Sequence, residues 1–386
     1  MRTPAIITVV LLAVPLLAAC TENATTAAAD PRSLSVVSSD DACEVSKVDV
    51  PAGTLTFDVT NTGSQVTEFY LLGDDGLQIV GEVENVGPGS SRKLTVNATE
   101  GSYLTSCKPG QKGAGIRGDF AVTASDEAPV VTADDQDLVD QALGNYQAYV
   151  KEQSAQLLEK TTRFVAFYKD GSKDDEARAL YPQARTHWER IETVAESFGD
   201  LDPKMDLRAA NVEPGATWTG WHLLEKDLWP ADAGKYRALT PAQRVTAADE
   251  LLANTVDLDR RVQGLAYSVD QIANGSRGLL EEVATGKVTG EEEAWSHTDL
   301  WDFQANVDGA RVGFKGLAPI VEKNDPELAA TLEQRFAELQ TLLDAQRVGD
   351  GFKLYTALSP AEIKGLADAV NALSEPLSRL TAAVVS

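Results

Sequence analysis

The chain has 386 residues, which is long enough for two or more domains. Its 59 acidic and 34 basic residues give a formal net charge of −25. A balance this acidic disfavours the basic surfaces with which proteins bind nucleic acids or anionic membranes, and it suits a protein that attracts cations. The chain has three histidines, so a histidine placed beside carboxylates needs its own interpretation.

The N-terminal residues have the pattern of an export signal. Arg2 precedes an apolar run over residues 5–19, which is shorter than the ~20 residues of a membrane-spanning helix. The run ends in small residues that lead directly into Cys20, as in bacterial lipoprotein signals. We expect a signal peptide over residues 1–20, lipidation of Cys20, a flexible tether over 21–33, and a protein anchored to the outer face of the cell membrane. The alternative is an ordinary secretory signal with a chance cysteine.

Residues 34–124 show the sequence pattern of short strands. Apolar and polar side chains alternate, as in Leu55-Thr-Phe57-Asp-Val59, and turn residues recur about every 8–12 positions. This pattern predicts an antiparallel β-sandwich. The segment Gly101–Cys107 looks like the last strand and cysteine-bearing loop of a cupredoxin. Residues 34–124 contain no histidine and no methionine, however, so the blue-copper ligand set is absent.

The pattern becomes helical beyond an acidic, proline-containing stretch over residues 125–135, where we place a linker. Apolar residues then recur at helical spacing, and proline or glycine stands at several expected starts and stops. The remainder, 136–386, is predicted to be an all-helical bundle domain. The predicted helices lie near residues 138–169, 174–198, 217–228, 241–264, 276–285, 291–310, 326–347 and 360–384.

The apolar run Thr219–Lys226 contains an HxxE spacing. On a helix His222 and Glu225 occupy positions i and i+3, so one imidazole nitrogen and one carboxylate can point into the same space. Metal binding is one interpretation of this pair. The alternative is a core histidine whose ring N–H is satisfied by the glutamate.

Three further acids lie near this motif in the sequence. Glu189 and Glu192 share a helix face, and Asp206 follows in a loop. If the bundle buries these acids with His222 and Glu225, a metal or protons must neutralise them. One imidazole with several carboxylates suits Fe(II), Fe(III) or Mn(II) better than Cu(I), with Zn(II) as an alternative. For each acid alone, the alternative is a solvated or ion-paired residue.

The sandwich holds a second group of candidate ligands. Cys43 and Cys107 are the cysteines that remain after Cys20, and outside the cytoplasm such a pair usually forms a disulfide. The other candidate ligands of the sandwich are Glu44, Glu68, Glu82 and Glu84. The alternative is a second metal site, in which a reduced thiolate acts together with two carboxylates.

At these residues the chain resembles the EfeO family of iron uptake proteins. The stretches that carry the resemblance cover nearly everything after the tether. In the helical half they are His187-Trp-Glu-Arg-Ile-Glu192, Gly220-Trp-His-Leu-Leu-Glu225-Lys226 and Ser296-His-Thr-Asp-Leu-Trp-Asp-Phe-Gln-Ala-Asn306. In the sandwich they are Cys43-Glu44, Glu82-Val-Glu84-Asn85 with Pro88-Gly89, and Gly101-Ser-Tyr103 leading to Cys107.

The resemblance implies a cupredoxin-like domain followed by an imelysin-type helical domain. It also implies a protein that captures iron outside the membrane and passes it to a high-affinity iron permease, with a haem peroxidase of the dye-decolorising type as companion. Copper and zinc are the alternative metals. The family's main site maps onto His222 and Glu225 with Glu189, Glu192 and Asp206, and its second site onto Cys43, Glu68 and Cys107, with Glu82 matching less closely.

The imelysin-type domain has also been classed as a metallopeptidase, so a metal-dependent peptidase of the cell envelope is the alternative function. HxxE lacks the second histidine of HExxH, and no separate general base or oxyanion donor is evident. We therefore expect a binding protein without catalytic activity. A metal-free adhesion or scaffolding module is a third hypothesis.

Overall fold

The computed structural model describes residues 30–73, 79–111, 115–125 and 136–385. The expected signal peptide, the lipidation site Cys20 and most of the expected tether lie outside these ranges. The strands and helices described below all belong to one compact unit, Pro31–Ser386.

The N-terminal part is a β-sandwich. Across the described strands, one sheet has the order β2-β1-β4-β7 and the other the order β3-β9-β8-β5-β6. The strands are β1 (Ser33–Ser38), β2 (Cys43–Val45), β3 (Asp49–Pro51), β4 (Gly53–Asn61), β5 (Thr67–Gly73), β6 (Ile79–Val86), β7 (Ser91–Ala98), β8 (Gly101–Cys107) and β9 (Ile116–Thr123).

The sandwich core follows from the alternation along the strands. Leu55, Phe57 and Val59 of β4 are buried while the residues between them are less so. Phe57 packs against Phe69 and Phe120 of the other sheet, with ring centroids 5.1 and 5.7 Å apart. The prediction of a sandwich is confirmed, but it is not wholly antiparallel: β1 pairs with β4, and β3 with β9, in parallel. Neither pair is joined by a hairpin, since other strands intervene in the chain.

The C-terminal part is helical apart from a short hairpin, so the predicted fold class is confirmed. No helix in the described ranges has the length and apolar character needed to cross a membrane. The helices are α1 (Gln136–Asp170), α2 (Asp174–Ala195), α3 (Asp202–Met205), α4 (Trp221–Leu228), α5 (Pro241–Val262), α6 (Val269–Thr285), α7 (Asp299–Asn324), α8 (Pro326–Asp344), α9 (Pro360–Leu377) and α10 (Leu380–Val385), and the hairpin strands are β10 (Arg347–Val348) and β11 (Gly351–Phe352).

Some predicted helix bounds differ from the structure: the helix predicted at 217–228 starts at Trp221, the helix predicted at 276–285 starts at Val269, and the helix predicted at 291–310 continues to Asn324. One further difference matters for the site. The predicted helix 291–310 starts at Asp299. Side chains satisfy the backbone before that point: Asp299 accepts a hydrogen bond from the N–H of Glu293, and Glu225 accepts from the N–H groups of Trp295 and Ser296. Such bonds compete with the helical pattern. Residues 290–298 therefore form an irregular segment, which we call the pre-α7 segment.

Helix α6 joins the two halves of the molecule by covering β7, which is an edge strand of its sheet. Asp270 accepts a hydrogen bond from the backbone N–H of residue 97 at 2.9 Å. Asn274 and Arg277 donate to the carbonyl groups of residues 95 and 93, at 2.7 and 3.1 Å. Side chains of one helix thus form hydrogen bonds with the backbone groups of this edge strand. The same helix leads towards the pre-α7 segment.

Candidate metal centre

Helix α4 carries the HxxE pair and lies close to the segment that follows α3. Gly220, the residue before α4, has a φ of 87°, and a Cβ atom there would collide with the carbonyl oxygen of Met205. Only glycine suits both the left-handed backbone and this contact. The close approach brings Asp206, the residue after Met205, beside His222 at the start of α4.

His222 and Glu225 are buried neighbours on α4. Nδ1 of His222 lies 3.4 Å from Oε2 of Glu225. The other oxygen of Glu225 accepts hydrogen bonds from the backbone N–H groups of Trp295 and Ser296, at 2.9 and 2.7 Å. Glu225 therefore both faces the imidazole and ties the pre-α7 segment to α4.

Two glutamates of the pre-α7 segment, Glu292 and Glu293, also surround the imidazole, and the sequence analysis did not name them. Oε1 of Glu292 and Oδ1 of Asp206 are each 3.4 Å from Nε2 of His222. Oε1 of Glu293 is 3.9 Å from Nδ1. In the part of the chain that the structure describes, two groups have ligand atoms within 4.8 Å of one another: Asp206, His222 and Glu292, and His222, Glu225 and Glu293.

A fully buried arginine of α2, Arg185, shares these carboxylates with His222. Its guanidinium group contacts Asp206 and Glu189. Its Nε atom is 2.7 Å from Oε1 of Glu293 and 3.2 Å from Oδ2 of Asp302. The arginine therefore neutralises part of the buried negative charge and holds carboxylates from several segments together.

The structure places Glu189 and Glu192 beside this centre, on a buried lysine. Nζ of Lys287 is 2.5 Å from Oε2 of Glu189 and 3.0 Å from Oε2 of Glu192. Nδ2 of Asn306 donates to the same two oxygens at 2.9 and 3.0 Å. Within the described residues, neither glutamate joins His222 in a group with metal-ligand spacing.

The protonation of His222 reflects the acids around it. Burial and the charge of Arg185 both oppose a positive imidazole, but the nearby carboxylates of Glu225, Glu292 and Asp206 outweigh them and raise the pKa of His222 to about 9. A cationic imidazole is thus the stable form when protons are the available positive charge.

Burial and mutual repulsion favour the neutral form of several carboxyl groups in this region. Burial raises the pKa of Glu293 and of Glu192 well above the usual value, and neighbouring carboxylates add to the effect. Burial likewise raises the pKa of Asp302 and of Asp299 to about 7. These acids therefore lack enough positive partners to ionise together.

The acidic side chains around His222 outnumber the cationic ones. Among the described residues, eight carboxylic groups and three cationic side chains meet here around His222, and we call these eleven residues the acidic cluster. Nε2 of His222 is buried and makes no hydrogen bond with a described residue, although two carboxylate oxygens lie 3.4 Å away. A metal cation fits this donor set in charge and ligand type. The carboxylates are Glu189, Glu192, Asp206, Glu225, Glu292, Glu293, Asp299 and Asp302, and the cations are Arg185, Arg208 and Lys287.

The sandwich does not hold the thiolate site that was the alternative prediction. Cys43 and Cys107 form a disulfide, which joins β2 of one sheet to β8 of the other. Disulfide sulfurs carry no thiolate charge, so these two residues are not metal ligands in this state. Glu68 accepts a hydrogen bond from the hydroxyl group of Tyr70 at 2.7 Å, and Glu82 lies on β6. Neither glutamate belongs to a group with ligand spacing in the described ranges.

Comparison with known proteins agrees with this two-part architecture. Residues 142–380 match the family model for imelysin, Peptidase_M75, and residues 8–122 match the model for the cupredoxin-like domain. An "Iron uptake system component EfeO" from Escherichia coli O157:H7 is 36% identical over 360 residues, which cover 92% of each chain. The chain belongs to the EfeO family. Proteins with the same name from E. coli strain K12 and from Shigella flexneri are 35% identical over the same share.

The resemblance to the EfeO family inferred from the sequence is thereby confirmed. The family carries two functional descriptions, since the helical family model is named a peptidase while the relatives are named iron uptake components. The relatives' name fits a binding protein without catalytic activity.

Proposed function

We propose that the protein is a non-catalytic, iron-binding component of an iron uptake system and works outside the cytoplasm. The name of the EfeO relatives supports the iron uptake role. The observation that carries the proposal is a buried imidazole amid carboxylates that outnumber the cations around them. Iron bound at this point replaces the protons that neutralise these groups in its absence.

The proposed ligands come from three segments that the fold brings together. The loop after α3 contributes Asp206, α4 contributes His222 and Glu225, and the pre-α7 segment contributes Glu292 and Glu293. Glu189 and Glu192 stay in the proposal as outer carboxylates on Lys287. Oxygen atoms with one imidazole suit both Fe(II) and Fe(III), with copper and zinc as competing metals.

The proposal extends to location and partners. It includes a cupredoxin-like domain at 34–124 and an imelysin-like domain at 136–386, with a lipid anchor at Cys20 that keeps them at the outer face of the membrane. Iron captured there is delivered to a membrane permease, and a haem peroxidase of the dye-decolorising type is a further partner. That the relatives are named as components of a system supports the presence of partners.

Metal analysis and calorimetric titration test the proposal, with Fe(II) under reducing and Fe(III) under oxidising conditions. We expect saturable binding by the wild-type protein and its loss in the double variant His222→Gln/Glu225→Gln. His187→Gln is the matched control, because His187 is also buried but bonds to Gln153, at 2.8 Å, outside the acidic cluster. A wild-type protein that binds neither ion contradicts the proposal.

A second comparison locates the principal site. Glu225→Ala is expected to weaken iron binding more than Glu82→Ala, because Glu225 lies beside the imidazole whereas Glu82 lies in the sandwich. Equal effects in the titration contradict a dominant helical site.

The peptidase name of the helical family model favours one alternative function, a metal-dependent peptidase of the cell envelope. Peptide turnover that needs zinc and is abolished by His222→Gln supports that alternative. Tight iron binding without turnover supports the uptake proposal.

A further inference from the structure

Arg208 marks the place where the acidic cluster meets solvent. Its side chain is 28% exposed, whereas Arg185 and Lys287, the other cations of the cluster, are fully buried. The candidate ligands are nearly inaccessible as well: the side chains of Glu292 and Asp206 are 3% and 6% exposed. A cation that enters or leaves the cluster has to pass these buried groups, and Arg208 is the cation of the cluster that reaches solvent. We call the position of its side chain the opening.

The guanidinium group of Arg208 holds a candidate ligand directly. Its Nη1 atom is 3.2 Å from Oε2 of Glu292, while the other oxygen of Glu292 lies 3.4 Å from Nε2 of His222. One carboxylate therefore has the arginine on its outer side and the imidazole on its inner side. Arg208 also packs over Gly286, where a Cβ atom would lie 3.2 Å from Nη1.

The charges around Arg208 favour exchange with another cation. Glu292 and then Glu282 raise the pKa of Arg208, with Asp206 and Glu192 adding to the effect, so the guanidinium group stays charged. When its side chain turns outward, these carboxylates lose their solvent-exposed counter-ion. A hydrated metal cation is then attracted to the position that the arginine has left.

Hydrogen bonds hold the backbone around Arg208 in place, so a movement of this residue is a movement of its side chain. The segment is anchored on both sides, because the indole N–H of Trp218 donates to the carbonyl of Leu207 at 2.6 Å and the N–H of Asn211 donates to the carbonyl of Arg208 at 2.9 Å. The long arginine side chain has several rotatable bonds of its own.

We propose that Arg208 is the gating residue of the site: its guanidinium group closes the opening by binding Glu292, turns outward while a metal cation passes, and closes again over the bound ion. This inference rests on the proposed function and deepens it, since it assigns the route by which the cation reaches the buried ligands. It predicts that Arg208 governs the rates of association and dissociation more than the equilibrium affinity.

Anaerobic stopped-flow measurements with Fe(II) alone, followed by tryptophan fluorescence, test the gate. In Arg208→Gln we expect both rate constants to rise about ten-fold, the factor for removing about 1.4 kcal/mol from a barrier, while Kd changes less than either rate. Arg208→Lys keeps a cation at the opening and should remain close to wild type. Arg261→Gln is the matched control, because Arg261 is equally exposed and pairs with Asp200 and Asp257 outside the cluster.

A metal-free measurement keeps the gate testable even if iron does not bind. Diethyl pyrocarbonate modifies accessible, neutral imidazoles, and the acids around His222 favour its charged form. Peptide mapping of the reaction is therefore carried out over a range of pH, and the rate in each variant is corrected for the neutral fraction of His222 from its NMR titration, so that the corrected rate reports how open the route to His222 is. We expect faster modification of His222 in Arg208→Gln but not in Arg261→Gln, with the buried His187 as internal reference. Equal protection of His222 in all variants overturns the gate.

The two proposals fail in different ways. If the wild-type protein binds iron but Arg208→Gln leaves both rate constants unchanged, the gate is wrong and the uptake function stands. If the wild-type protein binds no iron, the proposed function is wrong, and the modification rates alone decide whether Arg208 closes the opening.

Discussion

Buried cationic side chains neutralise part of the negative charge of the acidic cluster, and this allows so many carboxyl groups to lie in the protein interior. Lys287 has no exposed surface and lies between Glu189 and Glu192, which come from the preceding half of the domain. A lysine buried without such partners would lose its proton, but the carboxylates outweigh the effect of burial and keep the pKa of Lys287 well above its usual value. Lys287 is therefore a structural counter-ion, and removing it leaves two buried acids uncompensated.

Lys287→Met is accordingly expected to lower the free energy of unfolding of the metal-free protein by about 3–5 kcal/mol. Denaturant unfolding followed by circular dichroism measures the change. Lys204→Met is the control, because Lys204 is half exposed and its pair with Asp200 should contribute no more than about 1 kcal/mol. Similar losses in the two variants would show that the buried ion pair adds no particular stability.

At the scale of elements, the centre depends on how closely short segments approach each other. Helix α4 is only eight residues long, and the loop after α3 reaches it through the contact between Gly220 and Met205. Thr219 adds a hydrogen bond to the carbonyl of Lys204 at 2.8 Å. The position of Asp206 relative to His222 is therefore set by backbone contacts rather than by side chains alone.

Gly220→Ala is expected to weaken iron binding by at least about ten-fold, because the added methyl group must push the Asp206 segment away from α4. Gly215→Ala separates this effect from backbone strain. Gly215 has nearly the same φ, 88°, but nothing lies within 4 Å of its Cβ position, so its variant reports the effect of a side chain at positive φ without the clash. Calorimetric titration of both variants checks the prediction, and equal affinities would contradict it.

At the scale of the whole molecule, α6 connects the sandwich to the acidic cluster. Asp270, Asn274 and Arg277 bind backbone groups of β7, and the same helix ends close to Lys287. The contact between α6 and β7 is polar and includes a buried carboxyl group, since Asp270 has no exposed surface. Burial raises the pKa of Asp270, although hydrogen bonds from neighbouring groups partly offset the shift.

The raised pKa of Asp270 makes the stability of the folded protein depend on pH through the contact between α6 and β7. The folded state holds the proton more tightly than the unfolded state, so this group's contribution to stability falls as pH rises from about 3.8 through the folded pKa, and stays low above it. Asp270→Asn keeps an acceptor for the N–H of Asn97 and removes the buried charge. Its Tm should exceed that of the wild type near pH 7, with a difference that shrinks towards pH 4, measured by calorimetry.

Asp257→Asn is the control of opposite sign for this experiment. Asp257 is on the surface, and hydrogen bonds from Arg260 and Arg261 lower its pKa, so its charged form stabilises the fold above the unfolded pKa. The Asn variant should lose stability near neutral pH and match the wild type in acid. An Asp270→Asn variant that behaves in the same way would contradict the raised pKa.

The disulfide supplies a second test at this scale. Cys43 and Cys107 are 64 residues apart, so chain entropy predicts a loss of about 4 kcal/mol on removal of the bond in Cys43→Ser/Cys107→Ser. The loss should appear in the unfolding of the sandwich, while iron titration of the folded protein remains unchanged. Iron binding that disappears with the two cysteines would move the principal site to the sandwich.

The fold was predictable where the signal was local. Period-two strands, proline and serine at helix starts, and glycine at stops were sufficient for the order of a sandwich followed by a helical domain. Sequence periodicity did not reveal the parallel pairing of β1 with β4, because strands distant in the chain meet there. The start of α7 was missed since Glu225, far away in sequence, takes the N–H groups that the predicted helix would have used.

At the candidate site, too, the local part of the arrangement was predictable and the long-range part was not. The sequence by itself determined that His222 and Glu225 share one helix face, because a separation of three residues is a property of the helix alone. Tertiary structure decided which acids face them. It brought in Glu292 and Glu293 and drew Glu189 towards Lys287, since burial requires each charge to find a partner wherever the packed chain offers one.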